Sequence, residues 1–265
     1  MSKATSRDGT AIAFDQTGQG PPVILVVGAF NDRSKGAPLA ASLAPRFTVF
    51  CYDRRGRGDS GDAAQYAVER EVEDLEAVIA AAGGSASVLG YSSGAVLALK
   101  AAASGLAITK LALYESPCTT DARPAHPHPL ATSRAANHAA ELASLVAAGR
   151  RGDAVEYFQT KVVGIPDHIV AQLRDAPFRP ALEAMAHTLV YEATIVGEGR
   201  IPRELLAKVR SPTLAIAGGA SPPFMREAAE ALARALPEGR CLVIEGATHD
   251  LVPAVLGPVL ERFFG

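Results

Sequence analysis

Val88-Leu89-Gly90-Tyr91-Ser92-Ser93-Gly94-Ala95-Val96-Leu97-Ala98-Leu99-Lys100 joins two patterns that rarely meet by accident. Ala86, Val88 and Leu89 make a short apolar run, and an alanine- and leucine-rich helical pattern begins after Gly94. Strand, G-x-S-x-G, helix is the layout of a nucleophile elbow. The turn is so tight that positions two before and two after the serine tolerate almost no side chain, hence Gly90 and Gly94. In exchange Ser92 Oγ stands clear at the carboxyl end of a strand, and the Ser93 N–H is free to face a developing oxyanion. The bare pentapeptide is common in proteins, and a buried Gly-Ser loop without chemistry is its bland alternative. The apolar run before it and the helix after it carry the reading. Other Gly/Ser clusters, at residues 83–87 and 218–221, lack the second glycine in the right place.

Working outward, the chain begins with a hairpin: residues 3–7 and 10–15 flank Asp8-Gly9, a dipeptide suited to a tight turn. Residues 23–27 are a β-branched apolar run fit for a strand buried on both faces of a parallel sheet. A helix over 37–44, a strand over 47–52 and a helix over 65–82 follow; beyond the elbow helix, 108–114 reads as another buried strand. This βαβ alternation predicts a doubly wound α/β sheet with ligand sites at the carboxyl ends of its strands. After Pro117 the rhythm changes. Residues 119–129 are rich in proline and histidine, and from 132 to 197 only helical patterns occur, over 133–148, 153–163, 168–174 and 179–195. These predict a helical lid inserted into the sheet domain. Strands return at 213–217 and 241–245, with helices at 223–235 and 252–264.

Composition narrows the partners. The 265 residues carry 26 basic and 28 acidic side chains, a net charge of −2, with no long basic run. Nucleic acid and anionic membrane surfaces are therefore not expected as partners. Three cysteines without paired spacing argue against a disulfide framework and a zinc site. Cys51 and Cys241 fall in strands and are expected to be buried; Cys118, at the lid's edge, is the one expected to meet solvent. No apolar stretch is long enough to span a bilayer, and the first ten residues lack the apolar core of a signal peptide. A cytoplasmic address is the expectation.

His249 is the natural general base. A serine hydroxyl is almost fully protonated at neutral pH and needs an imidazole to take its proton during attack. The last strand delivers His249, in Gly246-Ala247-Thr248-His249-Asp250, to the sheet edge that carries Ser92. His126 and His128 lie among prolines and read as exposed loop residues. His187 has Tyr191 one turn on; it either lines the pocket or is packed in its helix. Gly56-Arg57-Gly58-Asp59-Ser60-Gly61 matches a dinucleotide fingerprint, but the following helix begins too late to present its N-terminus to a pyrophosphate. A turn whose arginines and Asp59 hold one another is the preferred reading.

With the elbow, Asp53-Arg54-Arg55-Gly56-Arg57-Gly58-Asp59-Ser60 and Glu245-Gly246-Ala247-Thr248-His249 in place, the chain resembles an α/β-hydrolase fold protein over essentially its whole length. Leu113-Tyr114-Glu115-Ser116-Pro117, Ala186-His187-Thr188-Leu189-Val190-Tyr191-Glu192 and Ser221-Pro222-Pro223 resemble a bacterial branch of capped serine esterases and hydrolases. The resemblance implies a mostly parallel doubly wound sheet from residues 1–117 and 203–265, with an inserted all-helical cap over 118–202. It implies an oxyanion hole from the backbone of Ala29 and Ser93. Many relatives carry His-Gly-x in the first of these loops; Val27-Gly28-Ala29 lacks the histidine, which leaves the loop's support unexplained. It implies a pocket lined by Phe30 and Tyr91, with His187 and Tyr191 from the cap. The acid is the departure: most relatives place an aspartate after the seventh strand, where this chain has Gly218-Gly219-Ala220-Ser221. A minority carry it after the sixth, which is Glu115. Asp250 has poor geometry for its neighbour's ring, and Glu192 would have to descend from the cap.

The expected activity is a serine hydrolase acting on a carboxylic ester, thioester or lactone through an acyl-enzyme. Ser92 attacks, His249 shuttles the proton and Glu115 orients it. No metal or organic cofactor is implied, and a monomer or homodimer with a small-molecule substrate is expected. A cofactor-free lyase or perhydrolase would use the same triad. A ligand-binding relative without turnover is the reading from another class, favoured by the missing strand-seven acid.

Overall fold

The computed structural model describes residues 1–120 and 137–265. Its first two strands, β1 (Ser2–Thr5) and β2 (Ala11–Thr17), are the hairpin expected around Asp8-Gly9. Gly9 takes a positive φ of 87°, and Asp8 Oδ1 accepts from the Thr10 N–H at 3.0 Å. There follow β3 (Pro22–Val26), β4 (Thr48–Tyr52), β5 (Ala86–Tyr91), β6 (Ile108–Tyr114), β7 (Thr213–Gly218) and β8 (Gly239–Ile244). They form one sheet in the order β1-β2-β4-β3-β5-β6-β7-β8, parallel from β4 to β8, with β1 and β2 antiparallel at one edge. The chain leaves β3 for β4 on one side and crosses to β5 on the other. The two strands flanking that reversal carry Gly28 and Ser92 just past their ends, where a doubly wound sheet opens its ligand crevice.

Period-two alternation splits the core in two. Val23, Leu25, Val49, Leu89 and Ile216 face α1 (Ala37–Leu43) and the closing helix Pro253–Phe264, through Leu39, Leu43, Leu256 and Leu260. Ile24, Val26, Val88, Leu111 and Leu113 face α2 (Val68–Ala81), α3 (Ser93–Ala103) and the helix Pro223–Ala235. The α3 helix is buried on nearly every side, which explains a sequence of alanine, valine and leucine broken only by Lys100 and small polar residues.

The residues between β6 and β7 are helical where described: α4 (His138–Ala147), α5 (Arg151–Tyr157), a π-helical turn (Phe158–Val163), α6 (Asp167–Gln172), α7 (Arg179–Ala184), α8 (Leu189–Val196) and α9 (Arg203–Leu206). The helix expected over 179–195 is interrupted at Ala186–Thr188 by a 3₁₀ turn, where the Thr188 hydroxyl donates to the Met185 carbonyl at 2.8 Å. The insertion's two ends are clasped together, Thr119 N–H to Gly199 O at 3.0 Å and Ile201 N–H to Thr119 O at 2.8 Å. His126, His128 and the beginning of the helix expected over 133–148 lie outside the described residues. Pro223–Ala235 and Pro253–Phe264 become α10 and α11. No helix among the described residues is long and apolar enough to cross a membrane.

Two cysteine expectations are corrected. Cys241 is exposed, because β8 is an edge strand with a single neighbouring strand. Cys118, which precedes Thr119 of the clasp, is fully buried, with its thiol toward the Val196 carbonyl at 3.6 Å. Burial pushes the Cys118 and Cys51 thiols up to about 12.

The turn after β4 also differs from expectation. Asp59 pairs with Arg33 at 2.7 Å, while Arg54, Arg55 and Arg57 reach away from it into the protein. Arg55 forks onto Asp74 at 2.7 Å on both oxygens. Arg54 forks onto Glu71 at 2.7 and 2.8 Å and also meets Glu192 at 2.8 Å; Arg57 bonds the same Glu192 oxygen. Against the pull of burial, the Arg54 charge holds the Glu71 carboxyl below its ordinary value. These arginines are buried, so they need equally buried carboxylates; Asp59 is half exposed. The glycine turn cradles no phosphate, because the Asp53 carboxylate fills it: it accepts from Arg33 N at 2.7 Å and Asp59 N at 2.8 Å, and a Cβ on Gly58 would collide with it.

This network ties the sheet domain to α8. Glu192→Ala leaves two buried guanidinium groups short of a counter-charge, and is expected to cost about 3–5 kcal/mol. Urea unfolding checks this; a loss of about 0–1 kcal/mol, as for a surface pair, would mean that water reaches the network.

Candidate active site

Among the described residues three non-glycine residues have positive φ: Phe30 (60°), Ser92 (56°) and Glu115 (55°). They follow the carboxyl ends of β3, β5 and β6, three adjacent strands. Such backbone costs on the order of 1–3 kcal/mol per residue and collects at functional sites.

At Ser92 the conformation is imposed by crowding. A Cβ on Gly90 would run into Ala95, and one on Gly94 into the Val26 and Val27 carbonyls. A Cβ on Gly28 would lie 2.8 Å from the Ser92 Cβ, so the β3 loop can approach the serine only as glycine. Ser92 N–H donates to the Tyr114 carbonyl and its own carbonyl accepts from Ala95 N–H, both at 2.9 Å. These bonds hold the serine between β6 and the first turn of α3.

The β3 loop brings Ala29 N–H beside the elbow, where it donates to Ser93 Oγ at 3.1 Å. Support for the loop, unexplained from sequence, comes from the arginine network. Arg57 donates to Gly28 O at 2.7 Å and Asn31 O at 3.1 Å, Arg54 to Val27 O at 3.1 Å, and Asn31 Nδ2 to Ala29 O at 2.6 Å.

His249 arrives on the loop after β8. Its Nδ1 lies 3.1 Å from Glu115 Oε2. The other oxygen, Glu115 Oε1, accepts from the Gly218 backbone N–H at 2.7 Å. Glu115 is fully buried, while the His249 side chain is 43% exposed. A buried carboxylate at Nδ1 favours the tautomer protonated there, leaving Nε2 as the acceptor. The Tyr114 hydroxyl secures the loop through the Thr248 carbonyl, with the Asp250 carbonyl at 3.3 Å, and Tyr91 packs 5.1 Å from the imidazole, centre to centre. The other acids stand elsewhere. Asp250 is exposed beside Lys35 at 3.6 Å, and Glu192 is bound to Arg54 and Arg57. Ser221, at the position where most relatives have aspartate, has a buried Oγ with no partner among the described residues.

Ser92, Ser93, Ala29, Phe30, Tyr91 and His249 line one side of a cavity of about 240 Å³. Phe158, Gln159, Val162, Val163 and Val196 of the insertion close the other, with Phe224 and Met225 of α10 at its margin. Phe30 meets Phe158 edge-on at 5.5 Å, joining the two halves. His187 and Tyr191, expected in this pocket, are not part of its lining. Tyr191 stacks on Tyr66 at 3.9 Å and donates to Asp62 at 2.9 Å, and His187 lies 3.7 Å from Asp62. On α8 Leu189, Glu192, Ala193, Ile195 and Val196 are buried, while the Tyr191 ring is held by Tyr66 and Asp62 and His187 sits on the 3₁₀ turn before the helix, beside the same Asp62. Among the cavity side chains that sequence reasoning did not single out, Phe158, Gln159, Val162 and Val163 sit on the π-helical turn, inside a stretch that reads as an ordinary helix in the sequence. Among the described residues no group of three or more His, Cys, Asp or Glu is arranged to hold a metal ion.

Known proteins agree with this architecture. The family model described as the alpha/beta hydrolase family matches residues 23–256. An alpha/beta hydrolase from Sphaerobacter thermophilus is similar in structure over 100% of both chains, at 51% identity and a TM-score of 0.89. A thermophilic esterase from Thermogutta terrifontis shares the fold over 100% of this chain and 99% of its own, at 22% identity and a TM-score of 0.68. The uncharacterized hydrolase YraK of Bacillus subtilis is 39% identical over 95 residues, 34% of this chain and only 35% of that protein. With its model matched from β3 into α11, the chain belongs to the alpha/beta hydrolase family.

Proposed function

We propose that this hydrolase cleaves a carboxylic ester, thioester or lactone of a small to medium substrate through an acyl-enzyme on Ser92. The observation that carries the reading is the buried Glu115 carboxylate at 3.1 Å from His249 Nδ1, with both His249 and Ser92 on the same cavity. Nδ1 held by the carboxylate leaves Nε2 to take the Ser92 proton as Oγ attacks the carbonyl carbon. The tetrahedral oxyanion is received by the N–H groups of Ala29 and Ser93, and the proton returns to the leaving oxygen or sulfur. Water then repeats the sequence on the acyl-enzyme. Against the reading as a non-catalytic binder stands Glu115, whose other oxygen accepts from the Gly218 N–H at the last residue of β7, three residues before the Ser221 position where most relatives have their aspartate. Residues 118–202 act as the cap of this reading, and through Phe158, Val162, Val163 and Val196 supply the apolar wall that sets chain length.

The test is a series of p-nitrophenyl esters of increasing acyl length with a few lactones and thioesters. Turnover of short to medium substrates, falling off once the acyl chain outgrows the cavity, supports the reading. No hydrolysis of any member contradicts it.

A further inference from the structure

Gln159 stands out in the cavity. It is 6% exposed, it lies on the π-helical turn Phe158–Val163, and its Oε1 is buried with no hydrogen-bond partner among the described residues. Its backbone carbonyl is already engaged by the Ile165 N–H at 2.9 Å, so the unpaired group is the side chain alone. Its neighbours on that wall, Phe158, Val162 and Val163, are apolar and offer it nothing. Buried polar groups are almost always paired, and one left unpaired costs stability that an apolar side chain of the same shape would not. A helix turn widened to the π form, common at functional sites, carries it to the cavity wall.

We propose that Gln159 recognises a hydroxyl group on the substrate, so that the preferred substrate is an ester or lactone hydroxylated on the part that packs against the helical insertion. This rests on the serine-hydrolase reading above. The chemistry follows from the lining. It contains no lysine, arginine, aspartate or glutamate, so a charged substituent would enter without a counter-charge, whereas a neutral hydroxyl needs none. A hydroxyl donates to Oε1 and can also accept from the amide nitrogen, so one atom serves either orientation of the carboxamide. A plain alkyl chain would fill the same space and leave the carboxamide unpaired. Sites built to hydrogen-bond a substrate hydroxyl reject the analogue lacking it far more strongly than an apolar pocket rejects a missing methylene.

The test compares ethyl hexanoate with its positional hydroxyhexanoate isomers, acid release being followed by pH-stat, in the parent and in Gln159→Met. The parent should turn over one isomer with kcat/KM roughly tenfold or more above the unsubstituted ester. In Gln159→Met that ratio should fall towards one, because the hydroxylated ester loses its partner and is left with the same apolar contacts as the unsubstituted one. Gln159→Leu serves as a second apolar variant, and the comparison within the parent needs no variant at all. Hydrolysis of all the esters without preference for any isomer overturns the subsite and leaves the serine-hydrolase reading standing. So does a preference that survives both substitutions. Release no faster than in Ser92→Ala from every ester overturns the serine-hydrolase reading itself, and the subsite with it.

Discussion

Ser92→Ala is expected to abolish ester hydrolysis while leaving the fold intact, with a fall in kcat on the order of a million-fold, as in a comparable triad. His249→Ala should do nearly the same, since the alkoxide equivalent and its base act as one unit and the losses do not add. The fold should survive because the serine's structural work is done by its backbone. Its N–H is bonded to Tyr114 O and its carbonyl to Ala95 N–H, and neither bond involves the hydroxyl. Alanine at φ 56° carries the same Cβ as serine, so the strain of the elbow is unchanged. Circular dichroism and thermal unfolding of the variant should match the parent. Activity close to the parent's in correctly folded Ser92→Ala would remove Ser92 from the chemistry.

Glu115→Gln carries the second large effect, and separates orientation from mere presence of the histidine. Neutralising the acid of a serine triad costs about four orders of magnitude in kcat, because the imidazole loses both its tautomer and the charge that stabilises the imidazolium. In this chain the carboxylate has two tasks: one oxygen meets His249 Nδ1, and the other accepts from Gly218 N–H. A carboxamide keeps only one acceptor oxygen. If that oxygen stays with Gly218, the amide NH₂ is left facing Nδ1 and forces the proton onto Nε2, where it blocks the serine. The expected signature is a kcat that collapses with KM little changed, together with retained thermal stability. A larger change in KM than in kcat would make Glu115 a support of the pocket instead.

The elements legible in the sequence were those whose burial follows one repeat. Strands with apolar runs, the nearly fully buried α3 and the glycines of the elbow could be read because crowding admits few other residues. Candidate positions Ser92 and His249 were legible through strand order, which fixes the sheet edge where each loop emerges, and Glu115 only through the family resemblance. Contacts that depend on helical phase across a distant interface were not. Tyr191 and Glu192 are adjacent in sequence, yet one is half-buried in a stack on Tyr66 and the other lies fully buried between two arginines. A single residue's rotation about α8 decides which. The misplacement of Cys118 and Cys241 has another origin: a strand pattern does not tell an edge from a centre, and the burial of a loop cysteine depends on a contact distant in sequence, here Val196. Nor does a π-helical turn announce itself, since Phe158-Gln159-Thr160-Lys161-Val162-Val163 reads as a normal amphipathic segment.

The most direct measurement is reaction of the native protein with a fluorophosphonate, followed by mass spectrometry of its peptides. An activated serine reacts fast and once. The expected result is a single stoichiometric adduct on the peptide that contains Ser92, absent in Ser92→Ala and slowed by orders of magnitude in His249→Ala and Glu115→Gln. An unlabelled protein, or an adduct on any other residue, would contradict the assignment of Ser92, His249 and Glu115 as one catalytic unit.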